Sequence, residues 1–297
     1  MIQPLLPALK STDSQTGGGR RLPFRCLFIG GCPRSGTTLM QAILMRTGVV
    51  ATATETHLFP QYVEQWCRIW ESYSGKKSEG HRDVGLHKVL SDEDFEKALK
   101  KFCDTVFVKI QGKKRKPFVC EKTPENMLAW KHITRLYPKA TIIHVVRDPR
   151  AVVASTMAAR EWAAEWAHVT VGQICQRWMR YLDAAEACQA AGVSLIEARY
   201  ERIATQDTGY IAKFLAQIGI QRSRAEAKDL CAAVEIGIMK ERVKKHGAFF
   251  HGEPEGFFRR GETDSWREEL SETDIGLIES LAGDHMQRLG YALVSKG

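Results

Sequence analysis

The segment Phe28-Ile-Gly-Gly-Cys-Pro-Arg-Ser-Gly-Thr-Thr-Leu39 constrains this chain more than any other. Residues 24–30 are a short apolar run that reads as a buried strand. Residues 37–46 carry helix formers, with Leu39, Ile43 and Arg46 on one face and Gly48 as a stop signal. A strand, a Gly-rich turn and a helix N-terminus bring free backbone N–H groups and the positive end of a helix dipole to one point, which suits an anionic group such as phosphate. The turn departs from the triphosphate-binding pattern G-x-x-x-x-G-K-[ST]. Gly31 and Gly36 have the right spacing, but Thr37 stands where the lysine belongs. Arg34 supplies a cation instead, and its guanidinium fork matches phosphate or sulfate oxygens.

The strand–turn–helix pattern returns at residues 140–146, a β-branched run that exits into Arg147-Asp148-Pro149 and a helical stretch over 150–160. Units of this kind predict an α/β fold with a central parallel β-sheet flanked by helices. Residues 58–116 read as mostly helical, with Phe59, Tyr62, Trp66, Trp70 and Tyr73 spaced near one face and expected in the core. An amphipathic helix ending near 191, a strand over 193–197, a helix over 210–218 and a last helix over 272–289 follow. Ser271-Glu-Thr-Asp274 signals the start of that last helix and Gly290 its stop. Residues 1–22 read as a flexible leader and 23–297 as a single domain with helical insertions.

A hydrophobic share of 44% against 26% charged residues excludes disorder as the default. Eight cysteines without a C-x-x-C pair, most in apolar contexts, read as reduced, buried thiols and not as a disulfide framework or zinc site. No stretch approaches the roughly 20 apolar residues of a membrane span, so no transmembrane segment and a cytoplasmic location are expected. The net charge of +8 points to an anionic partner of unspecified kind. The basic run Lys109–Lys116 is expected to be a solvated loop, and with no recognition motif beside it a nucleic-acid partner is not expected. Nothing in the sequence fixes an oligomeric state.

Two strings together, Pro33-Arg-Ser-Gly-Thr-Thr38 and His144-Val-Val-Arg147-Asp-Pro-Arg-Ala-Val-Val-Ala-Ser155, resemble the P-loop sulfotransferases that use 3′-phosphoadenosine 5′-phosphosulfate (PAPS), closest in style to the tyrosylprotein branch. The resemblance implies sulfuryl transfer to an acceptor hydroxyl, with PAP as product and no metal required. It implies Arg34, Ser35, Gly36, Thr37 and Thr38 at the 5′-phosphosulfate, and Arg147 with Ser155 at the 3′-phosphate. Tyr200, in Ile196-Glu-Ala-Arg-Tyr200, would line the adenine site, and Arg259, Arg260 and Gly261 would close over the 3′-phosphate. Plainer alternatives are a surface pair of Arg147 with Asp148, a packing role for Tyr200, and solvated charge for Arg259 and Arg260.

Sulfuryl transfer needs cations on the developing charge and a base for the acceptor proton. Arg34 and Lys122, the latter in Cys120-Glu-Lys-Thr-Pro124, are the candidates for the first task. For the second, Glu55 in Ala53-Thr-Glu-Thr-His57 resembles the glutamate of the tyrosylprotein branch. The cytosolic small-molecule branch uses a histidine, which leaves His57, His81 and His87 open, as well as a Glu55 that only pairs with an arginine. The acceptor reads as a hydroxyl of a small molecule, a saccharide or lipid, or a tyrosine. Trp162, Trp166 and Trp178 either line its pocket or pack. Two other classes remain: a P-loop nucleotide kinase or NTPase, opposed by the missing lysine, and a nonenzymatic PAP-binding protein, which only an assay separates.

Overall fold

A computed structural model describes residues 22–74, 85–163, 165–246, 256–259 and 261–294. All but the last residue of the expected leader, together with His81 and Arg260, lie outside the described residues. Five strands, β1 (Arg25–Gly30), β2 (Val50–Thr52), β3 (Phe118–Lys122), β4 (Thr141–Val146) and β5 (Leu195–Arg199), form one sheet in the order β2-β3-β1-β4-β5. Every neighbouring pair is parallel. Parallel neighbours need crossovers, and helices supply them. They are α1 (Thr37–Arg46), α2 (Glu64–Ser74), α3 (Asp92–Gln111), α4 (Trp130–Leu136), α5 (Pro149–Ala159), α6 (Val171–Ala190), α7 (Tyr200–Ala204), α8 (Thr208–Gln217), α9 (Arg224–Ala232), α10 (Ile236–His246), α11 (Trp266–Glu269) and α12 (Glu272–Arg288).

β1, β3 and β4 are mostly apolar because both faces of the sheet are covered there, whereas the edge strand β5 is only partly buried. In β1, Cys26 and Phe28 enter one core while Leu27 and Ile29 enter the other. The first core centres on Phe28, whose ring meets Phe59, Phe107 and Tyr137 at centroid distances of 5.3, 5.6 and 6.0 Å. The second sets Met40, Ile43 and Leu44 of α1 against Phe214 and Leu215 of α8. Each such side chain, fully buried, stabilises the fold by about 1.5–3 kcal/mol.

Several elements differ from the sequence expectation. β5 lies two residues later than expected, because its pairing with β4 runs from Leu195 to Arg199. Of the aromatic series, Phe59 is in the core, while Tyr62 and Trp66 are exposed. Residues 58–63 form a π-helical turn, and its wider pitch carries the later residues off the buried face. Trp66 instead meets Phe102 and Trp70 stacks on Phe95, both on α3. The basic run is helical at its start, as the last turn of α3, and continues as a 3₁₀ turn over Gly112–Lys114. All eight cysteines are buried and unpaired. Among the described residues no helix is long and apolar enough to cross a membrane.

His144 of β4 is buried, and desolvation, with a smaller contribution from Arg199, lowers its pKa to about 4. An unfolded histidine titrates near 6.5. Between those values the unfolded chain binds a proton that the folded chain refuses, so stability falls as pH falls through this window, by up to about 1.4 kcal/mol per pH unit. Urea unfolding at about pH 6.5 and about pH 4.5 should show a larger loss for the wild type than for His144→Asn. Equal losses would remove His144 as the source.

Candidate active site

All five strands end at the same rim of the sheet, where ligands bind in open α/β folds. β1 runs into the Gly-rich turn, β2 into Ala53–His57, β3 ends on Lys122, β4 delivers Arg147 and β5 delivers Tyr200. Two glycines in the turn are sterically required. A Cβ on Gly31 (φ +150°) would lie 2.4 Å from the Val145 carbonyl oxygen, and one on Gly36 (φ +94°) 2.3 Å from Cδ2 of Tyr200. Gly36 is also the N-cap of α1, with no side-chain cap and no acidic residue in the first turn. Its first N–H groups therefore face the rim without a side-chain partner, beside the buried Thr37 and Thr38.

Arg34 holds a left-handed backbone (φ +72°), a conformation that costs a non-glycine residue about 1–3 kcal/mol. Three hydrogen bonds hold it there. Its Nε donates to Ser155 Oγ (3.1 Å), its Nη2 donates to the Phe257 carbonyl (2.8 Å), and its own carbonyl accepts from Arg147 Nη1 (3.1 Å). Its guanidinium lies 4.7 Å from the Phe257 ring centroid and 5.5 Å from that of Trp162. Arg147 in turn stacks on Tyr200 at 4.1 Å, and its carbonyl accepts from the indole N–H of the buried Trp178 (3.0 Å). Burial, helped by the nearby Arg147 and Arg259, lowers the Arg34 pKa to about 10, against an opposing contribution from Tyr200. Ser35 Oγ and Arg147 Nε are buried without a hydrogen-bond partner among the described residues. Two orphan donors among crowded cations are the complement of an anion.

The alternatives for these residues fare unequally. Arg147 does not pair with Asp148, which instead binds Arg150 at 2.7 Å in the interior. Arg259 pairs with Glu269 at 2.7 Å and is therefore fixed rather than freely solvated. Gly261 occupies a left-handed turn beside Ile236.

A second group lies across Thr38. Lys122 Nζ donates to Thr38 Oγ1 (3.3 Å) and to Glu55 Oε1. The lysine side chain is 5% exposed and the glutamate 34%. Oε2 of Glu55 lies 3.7 Å from His57 Nε2, and His57 Nδ1 lies 4.0 Å from Glu125 Oε2. Among the described residues Glu55 thus pairs with a lysine and a histidine, not with an arginine. Arg34, grouped with this pair in the sequence reading, is drawn to Ser155 by its left-handed backbone and by the Phe257 and Trp162 rings. His87 sits in the separate turn Leu86–Lys88.

Sequence reasoning missed the residues that hold the Glu55 turn. The buried Glu121 carboxylate accepts from Thr56 Oγ1 (2.8 Å), Thr56 N (3.3 Å) and Thr123 Oγ1 (2.7 Å), and from the Asn126 amide. Thr123 Oγ1 accepts the His57 N–H (3.2 Å). On the other side Gln41 Nε2 of α1 donates to Thr52 Oγ1 (2.7 Å) and the Ala53 carbonyl (2.6 Å). The available signal was Glu121 directly after the apolar run Phe118–Cys120, a charge that a buried strand tolerates only with several partners.

A profile of the sulfotransferase family matches residues 26–224. This chain belongs to the sulfotransferase family. Protein-tyrosine sulfotransferase 1 of Danio rerio is 28% identical over 225 residues, which cover 73% of this chain and 61% of the relative. Protein-tyrosine sulfotransferase A of Caenorhabditis elegans is 32% identical over 155 residues, covering 51% and 37% respectively. The matches thus span less than two thirds of these relatives' own length. Among solved structures, a mouse sulfotransferase complexed with PAP superposes with a TM-score of 0.54 at 14% identity, over 89% of this chain and 85% of that one. Retinol dehydratase in a complex with retinol and PAP gives 0.52 at 17% identity, over 89% and 82%. At such identities the structures speak for the fold, which is the P-loop α/β fold of sulfotransferases.

Glu121→Gln replaces one acceptor oxygen by a donor, which then faces either the Asn126 amide at Oε2 or the Thr56 and Thr123 donors at Oε1. It should destabilise the fold by about 1–3 kcal/mol in urea unfolding. A change within a few tenths of a kcal/mol would show that the network does not hold the turn.

Proposed function

We propose that this sulfotransferase transfers the sulfuryl group of PAPS to an acceptor hydroxyl, giving PAP and a sulfate ester. The observation that carries the reading is the pair of orphaned donors, Ser35 Oγ and Arg147 Nε, in a cluster of arginines beside the bare N-terminus of α1. These residues fit a nucleotide carrying phosphate at both ends. Ser155, Arg147, Arg34 and Arg259, with Arg260 and Gly261 next to it in sequence, serve the 3′-phosphate. Ser35, Gly36, Thr37 and Thr38 offer amides and hydroxyls to the 5′ side, and Tyr200 offers its ring to the base. When bound, PAPS supplies a sulfuryl group on a phosphate leaving group. Lys122, held by Thr38 and Glu55, places a buried cation where charge develops, and Glu55 Oε2, the oxygen not engaged by Lys122, receives the acceptor proton. A preorganised cation of this type contributes on the order of a hundred- to a thousandfold in rate, and a base a hundred- to ten-thousandfold.

For the acceptor, the names of the relatives favour tyrosine or another phenol over saccharide and lipid hydroxyls. A cytoplasmic setting is supported by the eight unpaired thiols. One catalytic unit from residue 23 onward is supported by the single sheet, and no metal is assigned a role. Thr37 in place of the P-loop lysine weighs against ATP chemistry.

Isothermal titration should give selective binding of PAP over AMP and magnesium-ATP. Preference for ATP would return the kinase reading to first place. Arg147→Ala should weaken PAP binding far more than AMP binding, and equal losses would refute its 3′-phosphate role. Glu55→Gln should lower turnover from labelled PAPS by about a hundred- to ten-thousandfold with PAP affinity nearly unchanged. Undiminished turnover in the folded variant would remove Glu55 as base.

A further inference from the structure

His57 stands between two carboxylates at the acceptor side of the site, with Nε2 toward Glu55 and Nδ1 toward Glu125. Its position is built. The backbone is left-handed (φ +50°), the N–H is fixed on Thr123, and the preceding Thr56 is fixed on Glu121. Glu125 Oε2, the oxygen that faces the ring, is buried and lacks a hydrogen-bond partner among the described residues. The charged groups around the imidazole are Glu55 on its own turn, and Lys122 and Glu125 at the end of β3 and in the 3₁₀ turn Pro124–Met127 that follows it. Desolvation raises the Glu125 pKa, opposed by its backbone hydrogen bond and His57. A cation on the ring would therefore relieve Glu125.

Lys122 gives the ring a task. Its ammonium is buried and its carboxylate partner is Glu55. Once Glu55 has taken the acceptor proton, that ion pair is broken, and a buried charge that loses its partner is costly. Imidazole exchanges protons near neutral pH and lies within reach of Oε2 directly or through one water.

We propose that His57 and Glu125 form a proton outlet for Glu55: His57 Nε2 takes the acceptor proton from Glu55 Oε2 and holds it as an imidazolium between the two carboxylates. This rests on the sulfuryl-transfer reading above. As the acceptor O–S bond forms, the acceptor O–H bond breaks toward Glu55, and the electron pair of the broken S–O bond leaves on the phosphate of PAP. The proton then passes to His57 and from there to solvent, and the Glu55–Lys122 ion pair is restored. Glu125 is a positioning residue, because it acts through His57.

Two measurements test the proposal. The first needs no turnover: ¹⁵N NMR of the His57 ring should place the proton of the neutral form on Nδ1. Glu125→Gln should weaken that preference for Nδ1, and a neutral wild-type ring with its proton on Nε2, which could not accept one from Glu55, would overturn the proposal. The second uses labelled PAPS with phenol and with 4-nitrophenol, an acceptor that ionises far more readily. His57→Ala should bind PAP as the wild type does, lose at least about tenfold in kcat with phenol, lose much less with 4-nitrophenol, and regain phenol turnover in added imidazole. Equal losses with both phenols, or a phenol loss that imidazole does not restore, would reduce His57 to a structural residue. A wild type that fails to bind PAP would remove the functional reading, and this proposal with it. Normal PAP binding with unimpaired phenol turnover in His57→Ala would remove this proposal alone.

Discussion

Because every strand in the sheet is parallel, every carboxyl end lies on one edge, and the chemistry of this chain has nowhere else to gather. Within the sheet the polar side chains Glu121 and His144 are enclosed, and those that reach the rim appear where strands stop: Arg34 after β1, Glu55 after β2, Lys122 on the last position of β3, Arg147 after β4 and Tyr200 after β5. The order β2-β3-β1-β4-β5 then sorts them by position. β4 and β5 bring Arg147 and Tyr200 to one side of the Gly-rich turn, and β3 and β2 bring Lys122 and Glu55 to the other.

That sorting gives the rim an electrical asymmetry. One side concentrates Arg34, Arg147 and Arg259, and burial together with its two cationic neighbours lowers the Arg34 pKa. The other carries Glu55, Glu125 and His57 around a single buried ammonium. Thr38, at the start of α1, touches Lys122, and Gly36, two residues earlier, touches Tyr200, so one turn of backbone separates the two regions. A reaction that leaves negative charge on one reactant and frees a proton from the other needs this division.

Much of this was legible in the chain because it is local. The helix at Thr37–Arg46, the strand at Thr141–Val146 and the helices at Pro149–Ala159 and Glu272–Arg288 follow from periodicity, cap residues and glycine stops within a few positions of themselves. What was illegible is non-local. β2 is three residues long and exists because β3 pairs with it. β3 carries Glu121 and Lys122, whose partners Thr56 and Glu55 lie 65 and 67 positions away, so its charges look like loop residues until the partners are known. The direction of the Arg34 side chain depended on Ser155 and Phe257, which no pattern near residue 34 announces. The aromatic series after Phe59 was misread because one π-helical turn is enough to rotate a 3.6-residue pattern off its face.

The bond from Arg34 to the Phe257 carbonyl joins positions 223 residues apart. Closing so long a loop carries an entropic cost that is met late, after local helices and neighbouring strand pairs have formed. The strand pairs and helices nearest the Gly-rich turn can therefore form before Arg34 meets Phe257, so the final shape of the turn reports on the tertiary structure as a whole and not on its local sequence.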